Sequence, residues 1–296
     1  MNNLTKYKDL TVVIVAFHSD NIIYDCIKAI DKDIKVIIVD NSNSLTLKRD
    51  IEEKYSNIEV ILSKTNLGYG KANNLGINHS DSNFILILNP DTLVENDSIK
   101  ILLDYAKDYR PAIVAPIVKS KKINEFNFGY FQDSSNKNFN LDNGEAFEVD
   151  FVRGFALLIN KQKFKNRFFD ENYFTYMEEL DLCLRIKKLG EKIFIHPKSR
   201  VSHIGASSHN QNIQFEMELS RNWHWMWSNY YYYKKNFNVF TAIKKTYLRL
   251  ISSFLKMSFY IFVNKKKYLI YRQRFTGLIS AYLNKPSWYR PKVDFD

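Results

Sequence analysis

Four short stretches of the chain place acidic or imidazole side chains where they could hold a metal ion or move a proton. They are LNPD at residues 88–91, VDNSN at 39–43, MEELDLCLR at 177–185 and VSHIGASSH at 201–209. Carboxylate, imidazole and phosphate groups together suit Mg²⁺ or Mn²⁺ as ligands. These stretches therefore indicate an enzyme that handles a nucleoside diphosphate with a divalent metal.

The segment Phe84–Asp91 is the most informative of these stretches. Its apolar run is typical of a buried strand, and Asn89, Pro90 and Asp91 end that strand abruptly. A carboxylate at a strand tip is delivered to the sheet edge where α/β proteins bind ligands. Asp91 is therefore a candidate metal ligand, although Asn-Pro-Asp can also simply cap a turn.

Two further stretches could contact a nucleotide. Asp40 ends a buried strand, and it could either cap the following helix or accept the imino N–H of a pyrimidine. Asn66–Gly76 has three glycines, and a glycine-rich turn that enters a helix can bring backbone N–H groups close to a phosphate or ribose. The pattern differs from the GxGxxG dinucleotide fingerprint. Lys71 is either a counter-charge for the phosphates or a solvated surface lysine.

The acids of MEELDLCLR lie near the start of a predicted helix. Acids stabilise a first helical turn, and Asp181 and Arg185 have the spacing of an i,i+4 ion pair. For Glu179 we favour the role of general base, because partial burial would raise its pKa towards neutrality. Glu178 is the alternative base.

A histidine in the fourth stretch could complete a metal site. His203 follows a short predicted strand, and a single loop histidine is by itself unremarkable. It becomes a candidate metal ligand because Asp91 is a second candidate ligand for the same metal. His209 is the next candidate for this role.

The elements that must position these residues alternate between strand and helix. This alternation predicts an α/β fold with a mostly parallel, doubly wound sheet. The predicted strands are Thr11–Phe17, Val36–Asp40, Ile58–Leu62, Phe84–Leu88, Ala112–Val118, Phe151–Asn160 and Lys192–His196, and the predicted helices are Asn21–Ile30, Ser44–Tyr55, Gly70–Asn78, Ser98–Tyr109 and Phe174–Leu189. The polar stretch Lys119–Val149 is interpreted as an excursion rather than a separate domain.

Composition sets the broad class. The 296 residues are 45% hydrophobic, which is enough for one large or two small domains. Cys26 and Cys183 have no CxxC spacing, as expected for reduced thiols in a cytoplasmic protein. Met1–Leu10 is polar and does not read as a signal peptide.

The net charge of +11 is concentrated at the C-terminal end. Residues 215–296 hold 15 Lys and Arg against 4 Asp and Glu, whereas residues 1–214 hold 28 of each kind. Apolar and aromatic residues recur there at helical spacing, yet Tyr247–Val263 is too short and too charged to span a bilayer. We favour a basic amphipathic helix on an anionic membrane surface over packing alone or nucleic-acid binding.

Five motifs in order carry a family resemblance. VVIVAFHS, VDNSN, NLGYGKANN, LNPDT and YMEELDLCLR, followed by HIGAS, resemble the family 2 glycosyltransferases with the GT-A fold. The likeness is closest to a bacterial, rhamnosyltransferase-like branch and covers Leu10–His209. It implies a GT-A catalytic domain over residues 1–212, followed by a helical, membrane-associating region over residues 213–296.

The resemblance implies roles for the nucleotide and metal contacts. Ala16, Phe17 and Asp40 would lie at the nucleotide base, with Asn66, Gly68 and Lys71 as further nucleotide contacts. Asp91 stands at the metal position of the DxD motif. Asn89 replaces the first Asp, which removes one negative charge and leaves open whether Asn89 contacts the ribose or the metal. Glu179 replaces the usual Asp base, and His203 matches a metal-ligating histidine.

The implied activity is inverting transfer of a sugar from a nucleoside diphosphate, dependent on Mn²⁺ or Mg²⁺. A dTDP- or UDP-sugar is the expected donor, with rhamnose the first candidate sugar. The expected acceptor is a lipid-linked saccharide in O-antigen or capsule synthesis, at the inner face of the plasma membrane, with no nucleic-acid partner. The alternatives are a non-catalytic scaffold and a sugar-phosphate nucleotidyltransferase.

Overall fold

The computed structural model describes residues 7–118, 126–131, 141, 143–165, 167–203 and 213–293. Within these residues the strands are β1 (Leu10–Ala16), β2 (Lys35–Asp40), β3 (Ile58–Leu62), β4 (Phe84–Leu88), β5 (Thr92–Val94), β6 (Ile113–Val118), β7 (Phe128–Gly129), β8 (Phe147–Val149), β9 (Phe151–Val152), β10 (Ala156–Asn160) and β11 (Ile193–His203). The helices are α1 (Ile23–Lys28), α2 (Leu45–Lys54), α3 (Tyr69–His79), α4 (Ser98–Tyr109), α5 (Glu178–Lys188), α6 (Gln214–Asn236), α7 (Val239–Val263) and α8 (Lys265–Tyr282).

The main sheet has the strand order β3-β2-β1-β4-β10-β6-β11-β5, and β8 also pairs with β11. Strands β1 to β4 run parallel, while β10 is antiparallel to both β4 and β6. Side chains along a strand alternate between the two faces of the sheet. Both faces are apolar, and helices pack on each of them. Val12 and Ile14 pack in one cluster with residues of α1, α2 and α4, and Val13 packs in another with α3 and α5.

Three predicted elements differ from the structure by more than two residues at one end. The predicted strand Phe151–Asn160 is divided, because β9 pairs with β7 in a separate two-stranded sheet and only β10 joins the main sheet. β11 continues past Pro197 to His203 through a register shift, since a bulge tolerates a residue that cannot donate a ladder hydrogen bond. Helix α5 begins at Glu178 because Tyr176 and Met177 have positive φ.

The polar stretch 119–149 is described in part. Its strand β8 pairs with β11 of the main sheet, and its strand β7 pairs with β9. The described part of this stretch is thus attached to the sheets. We call the described residues between 7 and 203 the sheet region.

The C-terminal helices α6, α7 and α8 pack on the sheet region through an aromatic cluster. Trp223 of α6 is fully buried and shares this cluster with Tyr173. Buried Asp181 of α5 accepts hydrogen bonds from Arg185 at 2.9 Å and from Lys235 of α6 at 2.7 Å. The predicted Asp181–Arg185 pair is confirmed, and α6 extends it into a network. Among the described residues, no helix has the length and apolarity that crossing a membrane requires.

Candidate functional site

The carboxyl ends of β1, β2 and β4 meet at one edge of the sheet. In the strand registers Ala16 lies opposite Asp40, and Ile14 lies opposite Leu88. The residues that follow these strands therefore project from the same edge, where open α/β sheets bind their ligands. Two neighbouring cavities open there.

The first cavity, here the Asp91 cavity, has a volume of about 210 Å³. Five of the predicted site residues line it: Phe17, Asn66, Gly68, Asn89 and Asp91. Asp91 itself is buried, with 3% of its surface exposed. The structure thus brings residues from three separate sequence motifs to one concave surface.

A tight turn fixes the position of Asp91. The backbone N–H of Asn89 donates to Phe155 O at 2.9 Å, and that of Thr92 donates to Asn89 O at 3.1 Å. β5 then pairs with β11, and Thr92 lies opposite His203 in the register. The backbone of the second candidate ligand is therefore adjacent to Asp91. The side chain of His203 and the whole of His209 lie outside the described residues.

The donor set at this edge fits a divalent cation. Asp91 offers a buried carboxylate and Asn89 an amide oxygen at the same cavity, and hard cations take such oxygen ligands. Among the described side chains, which exclude that of His203, no group of three His, Cys, Asp or Glu is arranged as a metal site. The protein therefore suits Mg²⁺ or Mn²⁺ bound jointly by one or two side chains and substrate phosphates.

The loop before α3 is held rigidly against the cavity. Gly68 has a φ of +78°, and a side chain there would collide with the carbonyl oxygen of Phe174. Asn66 accepts a hydrogen bond from Gly68 N at 3.0 Å, and Asn41 accepts one from Leu67 N at 3.2 Å. The glycine allows this close backbone approach, so Gly68 and the start of α3 face the cavity with fixed geometry.

Ala16 and Asp40 lie below the cavities. Asp40 is fully buried, and its carboxylate accepts hydrogen bonds from Ser42 N at 3.0 Å and Ser44 N at 2.7 Å. Ser44 is the N-cap of α2 and its side chain accepts from Leu47 N, so Asp40 holds the cap residue in place and does not itself cap the helix. Its contact with a nucleotide base stays a prediction. Ala16 is buried, and its carbonyl oxygen accepts from Asn41 N at 2.8 Å.

The second cavity, here the Arg290 cavity, has a volume of about 380 Å³ and adjoins the first. Both are lined by Phe17, Asn66 and Phe174. The predicted contact Lys71 lines the Arg290 cavity, where its ammonium group lies 3.6 Å from a carboxylate oxygen of Glu171. The two cavities together form one extended depression along the sheet edge.

Arg290 reaches this cavity from the far end of the chain. Its guanidinium carbon lies 3.9 Å from the centre of the Phe174 ring, within the range of a cation–π contact. Its Nη1 donates to Ser287 O at 2.9 Å and to Tyr289 O at 2.7 Å. Among the described residues, no carboxylate forms a salt bridge with Arg290. Its charge is therefore available to an anion in the cavity.

His224 of α6 anchors the segment that carries Arg290. One ring nitrogen lies 2.8 Å from Tyr289 O and the other 3.0 Å from Ser287 Oγ. Burial lowers the pKa of His224 to about 3, so the ring is neutral and can accept one hydrogen bond while donating another. Sequence reasoning missed Arg290, as it missed Arg221 and Tyr176 in the lining of the Asp91 cavity, because no local pattern marks them.

Glu178 and Glu179 lie behind the wall of the Asp91 cavity rather than in its lining. Tyr69 and Tyr176 line the cavity. Burial raises the pKa of Tyr176 to about 12, and the charges of both glutamates add to the increase. Tyr69 shows the same combination, with its pKa raised first by burial and then by both carboxylates. The two acids are therefore electrostatically coupled to the cavity through its tyrosine wall.

The two glutamates differ in environment. Burial raises the pKa of Glu178 well above its usual range, and the charge of Glu179 raises it further. Its Oε2 atom is buried without a hydrogen-bond partner among the described residues. Glu179 is half-buried, and its pKa is also raised by burial, against the opposing effects of a backbone hydrogen bond and Arg153. Both carboxyl groups therefore hold a proton more strongly than an exposed glutamate does.

Comparison with known proteins identifies similar sequences. A family model described as "Glycosyl transferase family 2" matches residues 11–168. The rhamnosyltransferase WbbL of Escherichia coli (strain K12) is 26% identical over 244 residues, which cover 69% of this chain and 85% of that protein. The N-acetylglucosaminyl-diphospho-decaprenol L-rhamnosyltransferase of Mycobacterium tuberculosis (strain ATCC 25618 / H37Rv) is 25% identical over 242 residues, covering 67% of this chain and 77% of its own.

A solved structure shares the fold over nearly the whole chain. The mannosyltransferase PcManGT from Pyrobaculum calidifontis, in complex with GDP-Man and Mn²⁺, superposes with a TM-score of 0.55 at 11% identity. The match covers 94% of this chain and 88% of that structure. It therefore extends through the C-terminal helices as well as the sheet.

Proposed function

This chain belongs to glycosyl transferase family 2, and from that premise we propose that it transfers a sugar from a nucleoside diphosphate to a lipid-linked saccharide. The predicted family, enzyme class and GT-A fold are confirmed. One observation carries the finer proposal: Asp91, Asn89, Asn66, Gly68 and Phe17 line a single cavity at the carboxyl ends of the strands. Sequence motifs far apart along the chain thus meet where a donor would bind.

We propose that the donor spans the two adjoining cavities. Their shared residues Phe17, Asn66 and Phe174 make one continuous surface, and the larger cavity, at about 380 Å³, has the volume of a small-molecule site. The sugar diphosphate would lie beside Asp91, and the nucleoside would extend past Phe17 towards the loop that Asp40 holds. Lys71 and Arg290 supply positive charge along this path.

In this proposal Asp91 holds the divalent cation, together with the imidazole of His203. Mn²⁺ or Mg²⁺ bound there would neutralise the negative charge that develops on the departing nucleoside diphosphate. Asn89 orients the ribose or the diphosphate from the adjacent position. Arg221 lies in the lining of the same cavity and adds a fixed positive charge near the leaving group.

Glu179 is the proposed general base. It takes the proton of the acceptor hydroxyl as that oxygen attacks the anomeric carbon on the face opposite to the diphosphate, which inverts the configuration. Burial raises the pKa of Glu179, which makes this carboxylate a stronger base than an exposed one. Glu179 lies behind Tyr69 and Tyr176, outside the lining of the Asp91 cavity. The acceptor hydroxyl would therefore have to pass along these two tyrosines to reach it.

The names of the relatives support a substrate class. Two of them are described as rhamnosyltransferases, and the name of one specifies a saccharide on a diphospho-decaprenol lipid. We therefore propose a dTDP- or UDP-linked sugar, with rhamnose the first to test, and an acceptor carried on a lipid diphosphate. Such a reaction belongs to the synthesis of a surface polysaccharide such as O-antigen or capsule.

The surface of α7 supports a place at the membrane. Many of its apolar side chains are exposed, among them Phe240, Ile243, Ile251, Phe254 and Phe262, the last at 90%. Exposed apolar surface of this extent marks an interaction site, and the surrounding lysines and arginines suit an anionic leaflet. We propose that α7 lies on the inner face of the plasma membrane, with residues 213–296 as the membrane-associating region.

A panel of sugar nucleotides tests the central proposal. Thermal unfolding would be followed with dTDP-rhamnose, UDP-sugars and GDP-mannose, each with and without Mn²⁺. A ligand that binds the folded state raises Tm by mass action, by an amount that grows with the ratio of ligand concentration to Kd. We expect a Tm increase with at least one dTDP- or UDP-sugar that requires the metal. No shift with any nucleotide would contradict the proposal.

A further inference from the structure

A cavity rich in positive charge lies between α7 and α8, far along the chain from the residues of the active site. Its volume is about 200 Å³, and Arg249, Lys256 and Arg274 line it together with Ser252 and Tyr271. No carboxylate belongs to its described lining. We name it the basic cavity.

Two of the three cations contact the same aromatic ring. The ammonium nitrogen of Lys256 lies 5.3 Å from the centre of the Tyr271 ring, and the guanidinium carbon of Arg274 lies 5.8 Å from it. Cation–π contacts hold both side chains close together in spite of their like charge. Arg249 donates from Nη1 to Asn229 Oδ1 at 3.0 Å, so this guanidinium is also fixed in direction.

The positive charge of the basic cavity is not balanced by the protein. On the neighbouring start of α8, Lys266 lies 3.6 Å from a carboxylate oxygen of Glu218. Among the described residues, no carboxylate forms a salt bridge with Arg249, Lys256 or Arg274. Like charges held close together without a counter-charge favour binding of an anion. Arginine forks and a serine hydroxyl match the oxygens of a phosphate group.

The position of the basic cavity narrows the choice of anion. Leu248 lines the cavity and is also part of the exposed apolar surface of α7, with 64% of its area accessible. Leu255, at 60%, immediately precedes Lys256. The charges therefore border the apolar surface, as lysine and arginine do where a helix lies in the headgroup layer of a membrane.

We propose that the basic cavity binds the phosphate headgroup of a membrane lipid, while the apolar surface of α7 contacts its chains. This inference rests on the membrane contact proposed above and adds a defined lipid site to it. A phosphate monoester, which carries more charge and more free oxygens than a diester, is the preferred headgroup. Three convergent cations can pair with those oxygens, whereas a diester offers only two.

Binding of the full-length protein to vesicles tests the site. Phosphatidylcholine vesicles would contain either phosphatidic acid, a monoester, or phosphatidylglycerol, a diester, adjusted to the same surface potential. The readout is the ratio of the two Kd values, because general attraction to negative charge acts equally on both vesicles. We expect the wild-type protein to bind the monoester vesicles about tenfold more tightly, as about one further ionic contact would give.

The variant that tests the cavity is Lys256→Gln with Arg274→Gln, which should reduce this ratio to about one. The matched control is Lys244→Gln with Lys265→Gln, which removes the same charge from exposed positions of α7 and α8 outside the cavity lining. The control should weaken binding to both vesicles and leave the ratio intact. Arg274→Lys, which keeps the charge, should retain most of the difference between the two Kd values. A Tm near that of the wild type identifies the variants that are folded.

Each outcome separates the lipid site from the wider proposal. A ratio of one in the wild type, or an unchanged ratio in the Lys256→Gln/Arg274→Gln variant, would overturn the lipid site even if the protein binds vesicles and sugar nucleotides. A further outcome is that soluble glycerol 3-phosphate displaces the protein from the monoester vesicles with a Kd equal to that for the vesicles themselves. That result would overturn the lipid site and assign the cavity to a free phosphate compound. Absence of binding to every anionic vesicle would refute the membrane contact itself.

Discussion

The Asp91 cavity and the basic cavity are both suited to phosphate groups, but the protein charges around them have opposite signs. The first contains a buried carboxylate and has two more carboxylates behind its tyrosine wall. The second is lined by three cations and by no carboxylate among its described residues. The carboxylate of Asp91 would repel a phosphate group unless a cation lay between them, whereas the basic cavity would attract one directly.

This difference separates two ways of binding an anion. In the proposed function a divalent cation lies between Asp91 and the diphosphate, so binding at the Asp91 cavity would depend on the metal and on the geometry at the strand ends. At the basic cavity, arginine and lysine contact the phosphate directly, so binding depends on ionic strength. The first arrangement stabilises a charge that appears during a reaction, and the second holds a charge that is already present.

The largest expected effect separates chemistry from binding at the Asp91 cavity. Glu179→Gln should reduce turnover about 10²–10⁴-fold, the usual contribution of a general base. The Kd for the nucleotide sugar should stay near that of the wild type, because the variant keeps the shape of the side chain. Single-turnover kinetics and calorimetry measure the two quantities. Near-normal turnover would exclude Glu179 as the base and make Glu178→Gln the next variant to measure.

The next effect distinguishes the two cavities by their dependence on metal. Asp91→Ala should weaken nucleoside-diphosphate binding in Mn²⁺ about tenfold to a hundredfold. Removal of the metal with EDTA should weaken binding to the wild type to the same extent. Neither change should alter binding to phosphatidic acid vesicles. Calorimetry and vesicle sedimentation on the same samples make the comparison. Equal nucleotide affinity with and without Mn²⁺ would remove Asp91 from the proposed metal site.

A pair of arginine variants sharpens the comparison further. Arg290→Gln should weaken donor binding about tenfold, because a hydrogen bond to a charged group contributes ~1.5–3 kcal/mol. Arg274→Gln, which removes another arginine near an aromatic ring, should leave donor binding unchanged and reduce the vesicle ratio instead. Calorimetry with the nucleotide and vesicle binding give the two readouts. The same loss of donor affinity in both variants would show that the effect is general and not local.

The smallest effect concerns stability at the wall of the Asp91 cavity. The pKa of Glu178 is raised in the folded state by burial, so the fold retains this proton at pH values where the unfolded chain has lost it. Stability is then lost as pH rises from the unfolded pKa through the folded one. Glu178→Gln stays neutral and should raise Tm by a few degrees at pH 8, with little change near pH 4.

The control for this prediction is Glu53→Gln on the exposed surface of α2, which should leave Tm unchanged at both pH values. Thermal unfolding followed by circular dichroism gives the Tm of the wild type and of both variants at pH 8 and pH 4. A Glu178→Gln variant that loses Tm at pH 8 would mean that the ionised carboxylate stabilises the fold, contrary to its buried environment.

Most of the sheet region could be predicted from local pattern. Ile58–Leu62, Phe84–Leu88 and Ser98–Tyr109 were predicted with the bounds that the structure gives. The prediction failed where tertiary contacts overrode the pattern. Phe151–Asn160 is predicted as one strand, yet its two ends pair in different sheets. No periodicity records which partner a strand will find.

The candidate site was predictable to a similar extent. Phe17, Asn66, Gly68, Asn89 and Asp91 follow strands or precede a helix, and strand ends meet at one edge, so their convergence could be expected. Glu178 and Glu179 were recognised as a pair, but their place behind Tyr69 and Tyr176 depends on the positive φ of Tyr176 and Met177. That backbone turn has no sequence signature such as glycine.

The sequence by itself determined the order of strands and helices, the carboxylate at the tip of β4 and the basic character of the C-terminal end, because each depends on neighbours along the chain. Tertiary structure alone decided that Arg290 lines a cavity at the sheet edge, on a segment anchored by His224, and that Arg249, Lys256 and Arg274 line one cavity between α7 and α8. These arrangements come from helix packing, which brings together residues that no local spacing relates.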